Sequence, residues 1–142
     1  MNEQNFHLGA KAIIRNAAGQ VLLLRALDRK KNPPKEYWDI PGGRIKQGET
    51  AEETLGREVE EETGIAALSE ITPLATFLTA IRIPVGDGEV GLILSVYLCQ
   101  TDHEEIRLSH EHTEARWVSP EEAANALSND LPALFIEKIK AL

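Results

Sequence analysis

Residues 43–65 read GRIKQGETAEETLGREVEEETGI, and this stretch carries both ends of one helix. Thr50 stands where an N-cap is needed and Glu53 follows three residues later, a pairing in which each side chain bonds the other's backbone N–H. Gly64 suits the left-handed position that closes a helix, so a helix over 50–63 follows. At about 100° per residue, Leu55 and Val59 form an apolar stripe that can face a sheet. Glu58, Glu61 and Glu62, three and four residues apart, share a neighbouring face. Glu61 and Glu62 fall in the last turn, where the negative end of the helix dipole disfavours a carboxylate by about 0.3–1 kcal/mol. A sequence that works against its own helix in this way is expected where a cation reverses the electrostatics, and clustered carboxylate oxygens suit hard ions such as Mg²⁺. Taken alone, the same run also reads as a solvated acidic face. Arg57, four residues from both Glu53 and Glu61, can pair with either and hold a carboxylate in place.

Immediately before the helix the charge reverses. From Arg25 to Lys46 seven basic residues stand against Asp28, Glu36 and Asp39, a net of +4, whereas from Glu49 to Glu62 seven glutamates stand against Arg57, a net of −6. A basic, glycine-rich segment joined to an acidic helix suits a metal-chelated polyphosphate, with metal on one side and Lys or Arg on the other. Metal-assisted phosphoanhydride chemistry is the function these residues support.

The rest of the chain frames that helix. Ala10–Asn16 and Val21–Leu24 read as two strands joined by a tight turn. Arg25–Glu36 is basic and contains Pro33-Pro34, which excludes a helix or central strand and predicts a surface loop. Trp38–Ile40 and Arg44-Ile45 are short extended pieces on either side of Pro41-Gly42-Gly43. Beyond the helix come a strand within Ile71–Ile83, a turn at Pro84–Gly88, an apolar strand Val90–Cys99 and a short strand Arg116–Val118. A helix begins after Ser119-Pro120, with Glu121 and Glu122 at its positive end. A last helix over 131–142 presents Leu134, Phe135, Ile139 and Leu142 as its apolar side.

The 142 residues are 42% hydrophobic and 27% charged, with no repeat, low-complexity stretch or Gly/Ser linker, so one α/β domain over 1–142 is expected. A formal net charge of −8 argues against a protein that grips a nucleic-acid polymer by overall charge. The longest apolar run is too short to cross a bilayer, which needs about 20 residues. Cys99 is the single cysteine and reads as a small buried hydrophobe; without disulfides or a signal-peptide pattern, a cytoplasmic setting is expected.

Gly43, then Glu49 after five residues, then Arg57-Glu58-Val59-Glu60-Glu61-Glu62-Thr63-Gly64-Ile65 after seven more, resembles the Nudix box G-x5-E-x7-R-E-U-x-E-E-x-G-U at every fixed position, where U is aliphatic. The flanking segments, from the first hairpin to Trp117, also resemble Nudix hydrolases, the MutT-like pyrophosphohydrolases. The resemblance implies an α/β/α sandwich around a mixed β-sheet and hydrolysis of a nucleoside diphosphate linked to another group, with Mg²⁺ or Mn²⁺. It implies Glu58, Glu61 and Glu62 as metal ligands, helped by the backbone carbonyl of Gly43. Arg57 and Glu49 would organise the site and Gly64 would close its helix. The nucleophile would be water, activated by Glu61 or by a glutamate outside the box.

Ser109–Val118, SHEHTEARWV, is similar to the segment that follows the long strand in several Nudix subfamilies, and there Glu111 would match a metal-binding or base glutamate. His112 reads equally as a catalytic group or as a turn histidine bonded to backbone, and Trp117 as a core residue. Arg25, Lys35, Trp38 and Arg44 are the substrate-binding candidates; Tyr37, Lys30 and Lys31 lie beside them, though exposed lysines are solvated by default. The expected substrate is an ordinary or oxidised nucleoside triphosphate, handled by a protein that is free of membrane and able to form a homodimer. The alternatives are a dinucleoside polyphosphate, ADP-ribose, a nucleotide sensor that does not cleave, and isopentenyl diphosphate isomerisation. Intact glutamates argue against the sensor, and the position of Cys99 argues against the isomerase.

Overall fold

The computed structural model describes residues 3–129 and 131–142. Seven strands and three helices follow the order β1 (Phe6–Arg15), β2 (Val21–Asp28), β3 (Lys35–Asp39), β4 (Gly42–Arg44), α1 (Ala51–Thr63), β5 (Ser69–Val85), β6 (Gly88–Gln100), β7 (His112–Val118), α2 (Pro120–Leu127) and α3 (Ala133–Lys140). The strands form one sheet with the path β3-β2-β1-β6-β5, to which β4 adds on β1 and β7 on β2. β1 and β6 run parallel and the other pairs antiparallel, so the sheet is mixed.

Alternation along β2 shows why helices cover both faces. Leu22 and Leu24 join Ala10, Ala12 and Ile14 under α1, where Leu55 and Val59 complete the packing. Val21 and Leu23 point the other way and join Ile13, Leu94 and Val96 under α2 and α3. Four consecutive buried aliphatic residues therefore belong to two cores, and the expected α/β/α sandwich is what the chain forms. No helix among the described residues is long and apolar enough to cross a membrane.

Several boundaries differ from the expectation. Arg25–Glu36 is not all loop: β2 continues to Asp28 and β3 starts at Lys35, with Arg25 opposite Trp38 and Leu27 opposite Glu36. Pro33 and Pro34 sit in the connection before an edge strand, where missing donors cost no ladder bonds. β1 starts at Phe6 because its parallel pairing with β6 begins there, opposite Gly91. β7 starts at His112, not at Arg116. In α3, Leu134 lies outside the core at 81% exposure and Ile136 takes its place with Phe135 and Ile139. The helix starts directly after Pro132, its N-cap. Phe135 packs on Phe77 with ring centroids 4.9 Å apart.

Candidate active site

Both caps of α1 form where the local sequence places them. The Thr50 side chain accepts from the Glu53 N–H, and the Glu53 carboxylate accepts from the Thr50 N–H, each at 3.1 Å. Gly64 takes φ +79° and returns its N–H to the Glu60 carbonyl. Between these ends the helix is fastened to the loop before it. Gly48, at φ +86°, turns the chain so that Glu49 meets Arg57: Nε donates to Oε2 and Nη2 to Oε1, both at 3.0 Å. Thr54 Oγ1 also donates to Glu49. The Arg57 bonds, ahead of those from the Lys46 N–H and Thr54, hold the Glu49 carboxyl down at about 2 against the opposing effect of burial. Glu53 is occupied by the cap, so the expected choice of Arg57 between Glu53 and Glu61 resolves to Glu49 and Glu58, with Glu61 at 3.6 Å.

Arg57 Nη1 donates to Glu58 Oε1 at 2.9 Å. Glu58 lies so close to Gly43 that a Cβ there would stand 2.5 Å from the Glu58 Cδ, so any side chain at position 43 would displace the Glu58 carboxylate from this place. One residue earlier, the Gly42 N–H donates to Glu62 Oε2 at 2.8 Å. Glu62 is 7% exposed, and burial pushes its carboxyl up to about 7, against the Gly42 bond and the charge of Lys11. Lys11 projects from the middle of β1 to bond both Asp39 oxygens at 2.9 Å and the Ile40 carbonyl at 3.1 Å. Burial disfavours its charge, but Asp39, joined by Glu62 and Tyr37, more than offsets burial and the Lys11 pKa is raised.

The metal-binding geometry joins the box to β7. Single ligand atoms from Glu62, Glu111 and His112 all lie within 4.8 Å of one another, the one such group found among the described residues. The turn preceding β7 presents the pair, with Ser109 accepting from the Glu111 and His112 N–H groups. Burial lowers the His112 pKa, partly offset by Asp39 and Glu111, and leaves a neutral imidazole near neutral pH. Its Nδ1 is buried without a hydrogen-bond partner. Two carboxylates and an imidazole within one ion's reach, beside Glu58 and the Gly43 backbone, are donors that fit a divalent cation.

The structure thus brings Glu62 and Glu111 together, holds Glu58 between Arg57 and Gly43 outside that three-residue group, and leaves Glu61 more than half exposed on the rim. Arg44 lines a cleft with Glu58, Phe6 and His7. Arg25 is paired with Glu36 at 2.8 Å and Glu114 at 3.6 Å, and Trp38 lies under both Arg25 and Arg116, at 5.4 and 5.2 Å. Lys35 lines an open groove with Arg25 and Lys31, at the opposite end of β3 from Asp39. Trp117 packs on the α1 core and donates Nε1 to the Glu104 carbonyl. Cys99 is buried, which pushes its thiol up to about 12 and removes it from nucleophilic chemistry. Sequence reasoning missed Lys11 and Asp39; a lone lysine inside Ala10–Ile14 was the available signal, since a charge on a buried strand needs a partner.

Comparison with known proteins gives a consistent picture. A family model for the NUDIX domain matches residues 5–138. The chain is 36% identical over 115 residues to the nucleoside triphosphatase NudI of Escherichia coli strain K12, spanning 78% of this chain and 79% of that protein. Among solved structures it resembles a MutT protein from Methanosarcina mazei Go1, with 31% identity, a TM-score of 0.66 and coverage of 99% and 95% of the two chains. The E. coli dihydroneopterin triphosphate pyrophosphohydrolase shares the fold, with a TM-score of 0.72 at 21% identity over 95% and 93% of the two chains.

Proposed function

The chain belongs to the NUDIX domain family and is a Nudix hydrolase acting on acid anhydrides in phosphorus-containing compounds, and from that premise we propose that its substrate is a nucleoside triphosphate, ordinary or oxidised, cleaved by divalent-metal-dependent attack of water at phosphorus. The observation that carries this reading is the convergence of Glu62 with Glu111 and His112 beside Glu58 and Gly43. The nucleoside triphosphatase relative supports the substrate class.

In this reading Glu58, Glu61, Glu62, Glu111 and the Gly43 carbonyl hold Mg²⁺ or Mn²⁺. The ion supplies charge neutralisation on the phosphate oxygens and a lowered pKa for water. Glu111, exposed at the mouth of the cluster, or Glu61 on its rim accepts the proton of the attacking water. Arg57, gripped by Glu49, keeps Glu58 against Gly43 and acts on the reaction through that carboxylate. The Gly42 N–H holds one Glu62 oxygen and so fixes the orientation of that carboxylate in the cluster. Arg44, beside Glu58, is placed to meet a phosphate, whereas Arg25 and Lys35 would contact the nucleotide from the β3–β2–β7 side.

The test is product release from ordinary and oxidised nucleoside triphosphates, diadenosine polyphosphates and ADP-ribose, with Mg²⁺ and with EDTA. Metal-dependent cleavage of the triphosphates is expected. Turnover confined to another class would overturn the substrate reading, and tight binding without cleavage of any of them would make the protein a sensor.

A further inference from the structure

Four histidines occur in the chain, and one of them stands apart. His7 lies against Arg44, and His103 and His110 are exposed. His112 has a buried Nδ1 with no hydrogen-bond partner, and a buried polar atom left unpaired is costly unless something else meets it. Its ring sits in the same group as two carboxylates, with ligand atoms within 4.8 Å. The backbone there is irregular too: Arg25 pairs with Glu114 but Ala26 pairs with His112, so Thr113 is an extra residue in β7 with no register partner on β2, its hydroxyl donating instead to the Arg25 carbonyl. A bulge of this kind bends a strand and re-aims the adjoining side chain, and it is common next to active sites.

Resting on the metal-dependent reading above, we propose that His112 is a nitrogen ligand of the divalent ion, which makes the centre a mixed oxygen–nitrogen site rather than the all-carboxylate site that the glutamate spacing on α1 suggests. The chemical consequence is a changed order of metals. Mg²⁺ prefers oxygen donors and gains little from an imidazole, whereas affinity rises from Mn²⁺ toward Co²⁺ and Zn²⁺ where nitrogen is offered. His112 therefore sets the margin by which first-row transition ions are preferred over Mg²⁺. Glu62 and Glu111 alone would bind both classes with less discrimination.

Pulsed electron paramagnetic resonance of the Mn²⁺-loaded full chain reads this directly. A directly bound imidazole gives ¹⁴N modulation, which is expected in the unaltered protein and is expected to change to the ¹⁵N pattern when only histidine is ¹⁵N-labelled. In His112→Gln the modulation should vanish, with Co²⁺ affinity reduced about tenfold or more and Mg²⁺ affinity changed less than about twofold. The labelling experiment needs no variant, so a folding defect in His112→Gln does not remove the test. Mn²⁺ bound without nitrogen modulation overturns this inference and leaves the hydrolase reading standing. Failure of the protein to bind Mn²⁺ at all overturns both.

Discussion

Glu49, just before the N-cap of α1, and Glu62, in its last turn, live under opposite electrostatic regimes. Glu49 is gripped by two guanidinium nitrogens and its carboxyl is held at about 2; Glu62 is enclosed, receives one backbone N–H, and its carboxyl is pushed up to about 7. The first turn of α1 has acidic residues where the dipole favours them, and the last turn has no basic residue at all. Both ends have their backbone caps, but only the acidic side chains of the first turn sit where the dipole favours them, whereas those of the last turn share it with no basic residue and suit a cation from outside. Stability resides at one end and chemistry at the other.

The largest expected effect comes from removing the charge at the unsatisfied end. Glu62→Gln should lower turnover about 10³-fold, because a lost metal ligand forfeits several kcal/mol of charge stabilisation at about 1.4 kcal/mol per decade. The fold should survive, and steady-state kinetics beside a melting curve will show it. Wild-type turnover in this variant would remove Glu62 from the reaction.

Next comes the pH response of the metal-free protein. Glu62 has a folded pKa of about 7 against an ordinary 4.5, so its contribution is fully present below pH 4.5 and is lost as pH rises through 7. Over that window the loss is about 3 kcal/mol by linkage. Glu49, with its lowered pKa, acts in the reverse sense: its contribution is present above pH 4.5 and is lost as pH falls through 2. Thermal melts in EDTA should therefore fall from pH 5 to pH 8 in the wild type and stay flatter in Glu62→Gln. An identical slope in both proteins would contradict the assignment. A divalent ion, which competes with the proton, should reverse the trend.

A smaller effect is expected at the connection between the two regimes. Arg57→Ala frees Glu58 and should reduce turnover about 10- to 100-fold, in the range of residues that orient a metal ligand. In the same variant the Glu49 carboxyl should return from about 2 toward its ordinary value, visible by NMR titration. Activity lost without any movement of Glu49 would separate the two halves of the arrangement. The smallest effect belongs to the satisfied end: Thr50→Ala should cost about 1 kcal/mol of stability through the lost cap and leave the metal affinity nearly unchanged.

Legibility in the sequence tracks the range of the interactions. α1 was readable to its caps because Thr50, Glu53 and Gly64 act within a few residues of one another. Arg57 choosing Glu49 was harder to read, since helical spacing offered Glu53 and Glu61 and only the Gly48 turn brings Glu49 back. The start of β7 is hidden because HTEA, residues 112–115, has no apolar alternation; its strand character comes from pairing with β2, a segment far away in the chain. The substrate candidates suffered similarly: Arg25 looks like a free cation in the sequence and meets Glu36 and Glu114 in the fold. Leu134 and Ile136 are equally apolar, and only the docking of α3 decides between them.

β1 pairs with β6, and β2 lies between β3 and β7, so the sheet closes only when strands from opposite ends of the chain meet. High contact order slows folding, because loop-closure entropy is incurred before the distant contacts compensate it. α1 has local caps and can form early, carrying Glu62 in place while Glu111 and His112 are still on an unpaired segment. The cluster is therefore expected to be among the last things the chain assembles. In a refolding reaction, recovery of helix signal should precede recovery of tight ion binding, and the ion then acts as a latch on the finished topology, slowing its unfolding without hastening its formation.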